Sequence, residues 1–187
     1  MKPTVLKKSQ VKKGRPKVLF VDDDPAIHKY TSRISKNLGL LKRTAFHPFK
    51  ANSIIWVRLH AIARLKKKLI FKEKNAKSVE EKQDLLKRIN TLNMLQKKPF
   101  ALVVSDVNMP RRHAVGIKFV QDLRKNLPEQ PILMHSDDLN SLDYLMEKGF
   151  AREIKVPGSN GEKLKERLKS ELWPKKYPKK STDDDWF

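Results

Sequence analysis

Lys17-Val18-Leu19-Phe20-Val21-Asp22-Asp23-Asp24-Pro25 and Phe100-Ala101-Leu102-Val103-Val104-Ser105-Asp106-Val107-Asn108-Met109-Pro110 are the two stretches whose reading decides the fold. Each is an apolar, largely β-branched run that stops abruptly at carboxylates. A short run of that kind is expected of a strand buried on both faces of a parallel sheet. Open α/β sheets bind ligands at the carboxyl ends of their strands. Asp22, Asp23 and Asp106 are therefore expected to converge on one edge. Clustered carboxylates repel each other unless something neutralises them, and a hard, oxygen-loving cation such as Mg²⁺ does so.

Outward from these runs, the chain alternates strand and helix. Asp24 is placed to cap a helix that starts at Pro25. Ile27, Tyr30, Ile34 and Leu38 form a stripe at helical spacing, and Gly39 is placed to end the helix. Leu40–Phe46 reads as a second strand, although Lys42 and Arg43 interrupt it. A long basic helix then carries Ile54, Ile55, Val57, Ile62, Leu65 and Leu69. Val79, Leu85, Leu86, Ile89, Leu92 and Leu95 mark another, opened by Ser78 with Glu81 completing a capping box. The break near Lys74–Lys77 predicts an antiparallel helical hairpin over about residues 51–97. After the third strand come a loop at Arg111–Gly116 and a helix through Ile117, Phe119, Val120 and Leu123. Strand four is expected at Pro131–His135, a helix at Leu139–Lys148 and strand five at Ala151–Val156. Glu162–Leu172 reads as a final amphipathic helix. This βαβα alternation predicts a doubly wound, five-stranded parallel sheet in flavodoxin-like order. Residues 1–16 hold five lysines, one arginine and no acid, and read as a disordered basic arm. The main domain is expected over 17–173 and a tail over 174–187.

The two acid-tipped runs resemble the receiver domain of bacterial two-component response regulators. The likeness covers about residues 15–40 and 99–173. It implies that Asp106 is the phosphoacceptor and that Asp22, Asp23, Asp106 and the backbone carbonyl of Asn108 hold Mg²⁺. It also implies that Ser136 donates its hydroxyl to the phosphoryl group and that Gly116 matches the loop glycine after the phosphoacceptor; the ammonium it calls for is available from Lys155 only if a bulge shifts that residue by one position. The partner implied is a histidine kinase or phosphotransfer protein. The activity implied is phosphoacceptance with at most self-phosphorylation and self-dephosphorylation.

Three positions depart from the family pattern. Val156 stands where receivers carry a lysine before the proline after strand five. Lys155 is one residue early, and a one-residue shift turns a strand side chain to the opposite face. Glu153 replaces a switch aromatic. Asp137 follows Ser136 and adds a negative group that opposes an incoming phosphate by like-charge repulsion.

Composition sets the remaining bounds. The chain has 187 residues and no cysteine, which excludes disulfide and thiol chemistry. No apolar run approaches the roughly 20 residues of a membrane span, and the N-terminus lacks the apolar stretch of a signal peptide. A cytoplasmic protein without membrane insertion is expected. Forty-two basic residues against 21 acidic give a net charge of +21, a field that attracts nucleic acid or acidic protein. Arg64, Lys66, Lys67, Lys68, Lys72 and Lys74 are the candidate contacts on the hairpin. Trp56, His60 and Arg64 share one helical stripe suited to stacking on bases, although aromatics mostly bury and Trp56 is expected in the hairpin core. The five histidines (28, 47, 60, 113 and 135) show no metal-ligand spacing or catalytic arrangement, and His113 is expected on a surface loop. Asp183-Asp184-Asp185-Trp186-Phe187 resembles the C-terminal peptide of bacterial single-stranded-DNA-binding proteins. It could equally fold back on the basic hairpin.

Two functions follow. The first is a stand-alone receiver, phosphorylated on Asp106 and signalling by protein contact. The second is a degenerate receiver scaffold whose basic hairpin binds nucleic acid or an acidic protein independently of phosphorylation.

Overall fold

The computed structural model describes residues 14–107, 109, 114–135, 147 and 161–174. Lys17–Val21 forms strand β1, Leu41–Ala45 β2, Leu102–Asp106 β3 and Ile132–His135 β4. The four are parallel and lie in the order β2-β1-β3-β4. Between them run helices α1 (Pro25–Leu38), α2 (Pro48–Lys74), α3 (Val79–Lys97) and α4 (Ala114–Asn126), and α5 (Gly161–Leu172) follows. The expected fifth strand, the helix at 139–148 apart from Glu147, residues 1–13 of the arm and the tail from 175 lie outside the described residues. Pro16, assigned by sequence to the arm, is tied to the sheet: its carbonyl accepts the Leu41 amide at 2.8 Å.

Side-chain alternation along the strands builds two cores. Leu19, Val21, Val103, Ile132 and Met134 face Ala51 and Ile55 of α2 and Phe119, Val120 and Leu123 of α4. Val18, Phe20, Leu102, Val104 and Leu133 face Ile34 of α1 and Leu164 and Leu168 of α5. Successive strand residues point to opposite faces, so helices on both sides require the continuous apolar runs seen in the sequence. Gln130, wholly buried, joins the starts of β3 and β4. Its Oε1 accepts from the Phe100 amide (3.1 Å) and its Nε2 donates to the carbonyls of Phe100 (3.0 Å) and Pro131 (2.9 Å).

Local signals explain the helix ends. Asp24 Oδ1 accepts the Ala26 amide at 2.7 Å, and Gly39 takes the left-handed conformation at φ 65°, which costs a residue without Cβ nothing. The α1 stripe is rolled from its expected position. Ile34 is buried, but His28, Thr31 and Ser35 are the other buried residues, while Ile27, Tyr30 and Leu38 are half-buried. The roll is tolerated in part because the Thr31 hydroxyl donates to the carbonyls of Ile27 and His28.

Helices α2 and α3 follow each other in the chain and pack side by side, and α2 starts at Pro48. Ser78 Oγ accepts the Glu81 amide (3.1 Å), and Glu81 reaches back to the Lys77 amide (3.2 Å). Lys66 Nζ donates to Gln96 Oε1 at 3.2 Å, and Lys82 pairs with Glu73 at 3.5 Å. The base of the hairpin is held by Arg58, whose Nε donates to the Pro99 carbonyl and whose guanidinium lies 5.1 Å from the Phe100 ring centre. Burial, then Arg43, pushes the Arg58 pKa down. Beyond it, Ile62, Leu85 and Ile89 are buried outside both sheet clusters. A third of the apolar residues that mark these two helices faces water instead: Val57, Leu65, Val79 and Leu86 are exposed.

Candidate metal and phosphoacceptor site

The carboxyl ends of β1 and β3 bring Asp22, Asp23 and Asp106 together. One oxygen from each lies within 4.8 Å of the others. The strand pairing explains this: Val21 is level with Ser105, so the residues that follow each leave the sheet at the same edge. Asp22 is 2% exposed. Its Oδ1 accepts the Asp24 amide at 2.8 Å, while its Oδ2 accepts no hydrogen bond among the described residues. A buried carboxylate oxygen in that state is costly. Three convergent hard oxygen donors, one of them buried and unsatisfied, fit a small hard cation.

Two histidines flank Asp22, and sequence reasoning missed both. His28 Nε2 donates to the Asp22 carbonyl at 2.7 Å. Its ring packs edge-on to Phe46 with centres 4.1 Å apart. His135, at the end of β4, places Nε2 3.0 Å from Asp22 Oδ2, without hydrogen-bond alignment. No sequence spacing signals this pair. His135 reaches Asp22 across β3, two strands away, so only the strand order reveals the neighbour. His28 sits four residues into α1, where a helical turn returns it over the end of β1.

Gly116 is not a loop residue. It lies in the first turn of α4, and a Cβ there would meet the carbonyl oxygens of Val107 at 2.5 Å and Asp106 at 2.8 Å. Its role is close approach: α4 rests directly on the backbone that carries Asp106.

Asn108, Ser136 and Lys155, with the departures at Asp137, Glu153 and Val156, lie outside the described residues, as do His113 and Asp183–Phe187. The hairpin cations lie on α2, away from the acidic edge. Arg64, Lys67, Lys68, Lys72 and Lys74 are exposed, whereas Lys66 is turned toward α3. Trp56 is 59% exposed, which overturns its expected place in the hairpin core. The buried side of α2 is already filled by Ala51, Ile55 and Ile62.

The strand order, the helices on both sheet faces and the acidic edge define the fold of CheY-like response-regulator receiver domains. Solved structures agree. The chain is similar to the chemotaxis protein CheY4 of Vibrio cholerae, with a TM-score of 0.52 and 22% identity over 85% of this chain and 100% of that one. It is similar to the response regulator TrrA of Thermotoga maritima in complex with Mg²⁺ and BeF, with a TM-score of 0.52 and 20% identity over 84% and 99%. It is also similar to the bacteriophytochrome response regulator AtBRR, with a TM-score of 0.53 and 13% identity over 85% and 93%. No protein-family model matches the sequence, and no curated protein does. Among the described residues no helix is long and apolar enough to cross a membrane.

Proposed function

We propose that the chain is a receiver that accepts a phosphoryl group on Asp106 from a histidine kinase or phosphotransfer protein and signals by protein contact. The observation that carries this is the convergence of Asp22, Asp23 and Asp106, with Asp22 buried. Asp22 and Asp23, with Asp106 and the backbone carbonyl of Asn108, would hold Mg²⁺. Bound there, Mg²⁺ supplies charge neutralisation for the carboxylates and the transferring phosphoryl oxygens. Asp106 presents a carboxylate oxygen to phosphorus. The new bond is an acyl phosphate, and the bond that breaks is the one to the donor's nitrogen or oxygen. His28 and the Asp24 amide fix Asp22, which keeps the acidic edge preorganised. Ser136 and Lys155 are the candidate hydrogen-bond donors to the phosphoryl oxygens.

Incubation with a small acyl-phosphate donor and Mg²⁺, followed by intact mass measurement, tests this. A gain of one phosphoryl group is expected, and it should be absent in Asp106→Asn. Incorporation that persists in Asp106→Asn would remove the assignment.

A further inference from the structure

The carboxyl-end site makes no use of the outward face of α2, where aromatic rings and cations share one stripe. Phe49, Trp56 and Phe71 are 77%, 59% and 71% exposed. At 100° per residue, positions 49, 53, 56, 60, 64, 67 and 71 fall on one side of the helix. Ser53, His60, Arg64 and Lys67 therefore lie in line with the three rings, with Lys68 at one edge of the stripe and Lys72 further round on the same side. From Phe49 to Phe71 the stripe runs about 33 Å. Trp56 and His60 stack on each other, with ring centres 3.7 Å apart and planes tilted by 35°.

Charge along α2 is one-sided. It holds eight basic residues and one acid, Glu73, and Glu73 is turned to Lys82 of α3. Arg64, Lys67, Lys68, Lys72 and Lys74 have no acidic partner within α2 or from α3 among the described residues. Five unneutralised cations on one helix repel each other and favour a polyanion. Burial of large exposed rings favours a flat apolar partner.

We propose that this face of α2 is a binding platform for single-stranded nucleic acid, its bases stacking on Trp56 and the neighbouring rings and its phosphates paired with Arg64, Lys67, Lys68 and Lys72. Single strands offer both features at once: unpaired bases with free π-faces and a regularly charged backbone. A duplex hides its base faces, so only the charge would be matched. A second copy of the same face is excluded by like charge. A membrane-lying helix separates its apolar face from its cations, whereas here both lie in one stripe. DNA and RNA share the recognising chemistry, and the test separates them.

The full chain is titrated into labelled oligo-dT, oligo-U and a duplex of equal length, and binding is read by anisotropy at several salt concentrations. Either single strand should bind more tightly than the duplex, and the tighter of the two identifies the sugar. The logarithm of affinity should fall linearly with the logarithm of salt, by about 0.7 per phosphate paired. Trp56→Ala should weaken binding about ten-fold with the salt slope unchanged, the size expected for loss of one stacked base. Lys67→Gln with Lys68→Gln should reduce the slope by about 1.4. All three side chains are exposed, so melting temperature should hold and confirm an intact fold. Trp56→Ala binding like wild type, duplex preferred over single strand, or binding only to a polyglutamate or an anionic vesicle would each overturn the proposal.

Discussion

At the carboxyl end of the sheet, buried strands deliver three carboxylates to one point; along α2, three rings and six cations face solvent. The first region is covered on both sides by helices, so each strand residue has a fixed destination and the acids at the strand ends have only one place to go. The second is packed on one side only. Its inner residues, Ala51, Ile55 and Ile62, are held by the sheet and by α3, and its outer residues are free of packing demands. A surface under no packing demand that still carries large rings is where a function other than folding is to be sought.

Substitutions that separate the regions sharpen this contrast. The largest loss is expected for Phe119→Ala. Phe119 is 2% exposed between α4 and the sheet, and its removal should cost about 3–5 kcal/mol by denaturant unfolding. A cost below about 1 kcal/mol would mean that this face of the sheet is not closely packed. Ile62→Ala should cost about 2 kcal/mol. Its signature is regional: hydrogen exchange should rise in α2 and α3 while β1 and β3 stay protected. Equal loosening of the strands would show that the hairpin is no semi-independent unit. Gly116→Ala should cost about 1–3 kcal/mol, because the added methyl pushes α4 off the Asp106 and Val107 carbonyls. It should also weaken Mg²⁺ binding, an effect that Ile62→Ala should lack.

The smallest effect is expected at Glu129. Lys97 and Lys98 hold its carboxyl below the usual range, the Lys97 hydrogen bond first. A depressed carboxylate stabilises the fold above its unfolded value of about 4.3. That contribution disappears as the pH falls through the folded value. Glu129 lies on the surface, where salt screens such pairs. Glu129→Gln should therefore shift the melting temperature slightly at pH 7 and not at all in strong acid. A shift that grows with acid would reverse the sign.

Much of the framework was legible in the sequence because its signals are local. The β1 and β3 runs, Asp24 and Gly39 at the ends of α1, and Ser78 at the start of α3 each act within a few residues. The acidic trio was legible because strand ends in parallel sheets converge. What escaped depends on distance in the fold. His135 meets Asp22 only because β4 lies beside β3, and Gly116 is needed only because α4 settles on the Asp106 backbone. Residue type alone points Trp56 inward, but the inner face of α2 is already filled by Ala51, Ile55 and Ile62. Lys42 looked like an interruption of β2. It lies along that edge strand, with its ammonium donating to the His28 carbonyl and, at 2.8 Å, to Ser32 Oγ. Burial pushes its pKa down.

A working cation and phosphoryl pocket at Asp22, Asp23 and Asp106 is what the proposed function requires. Backbone amide shifts recorded during a Mg²⁺ titration, alone and then with beryllofluoride, test it most directly. Saturable Mg²⁺ shifts are expected at residues 22–24 and 106–107, vanishing in Asp23→Asn, with a second set when the phosphoryl mimic is added. No saturable shift at those residues would contradict it.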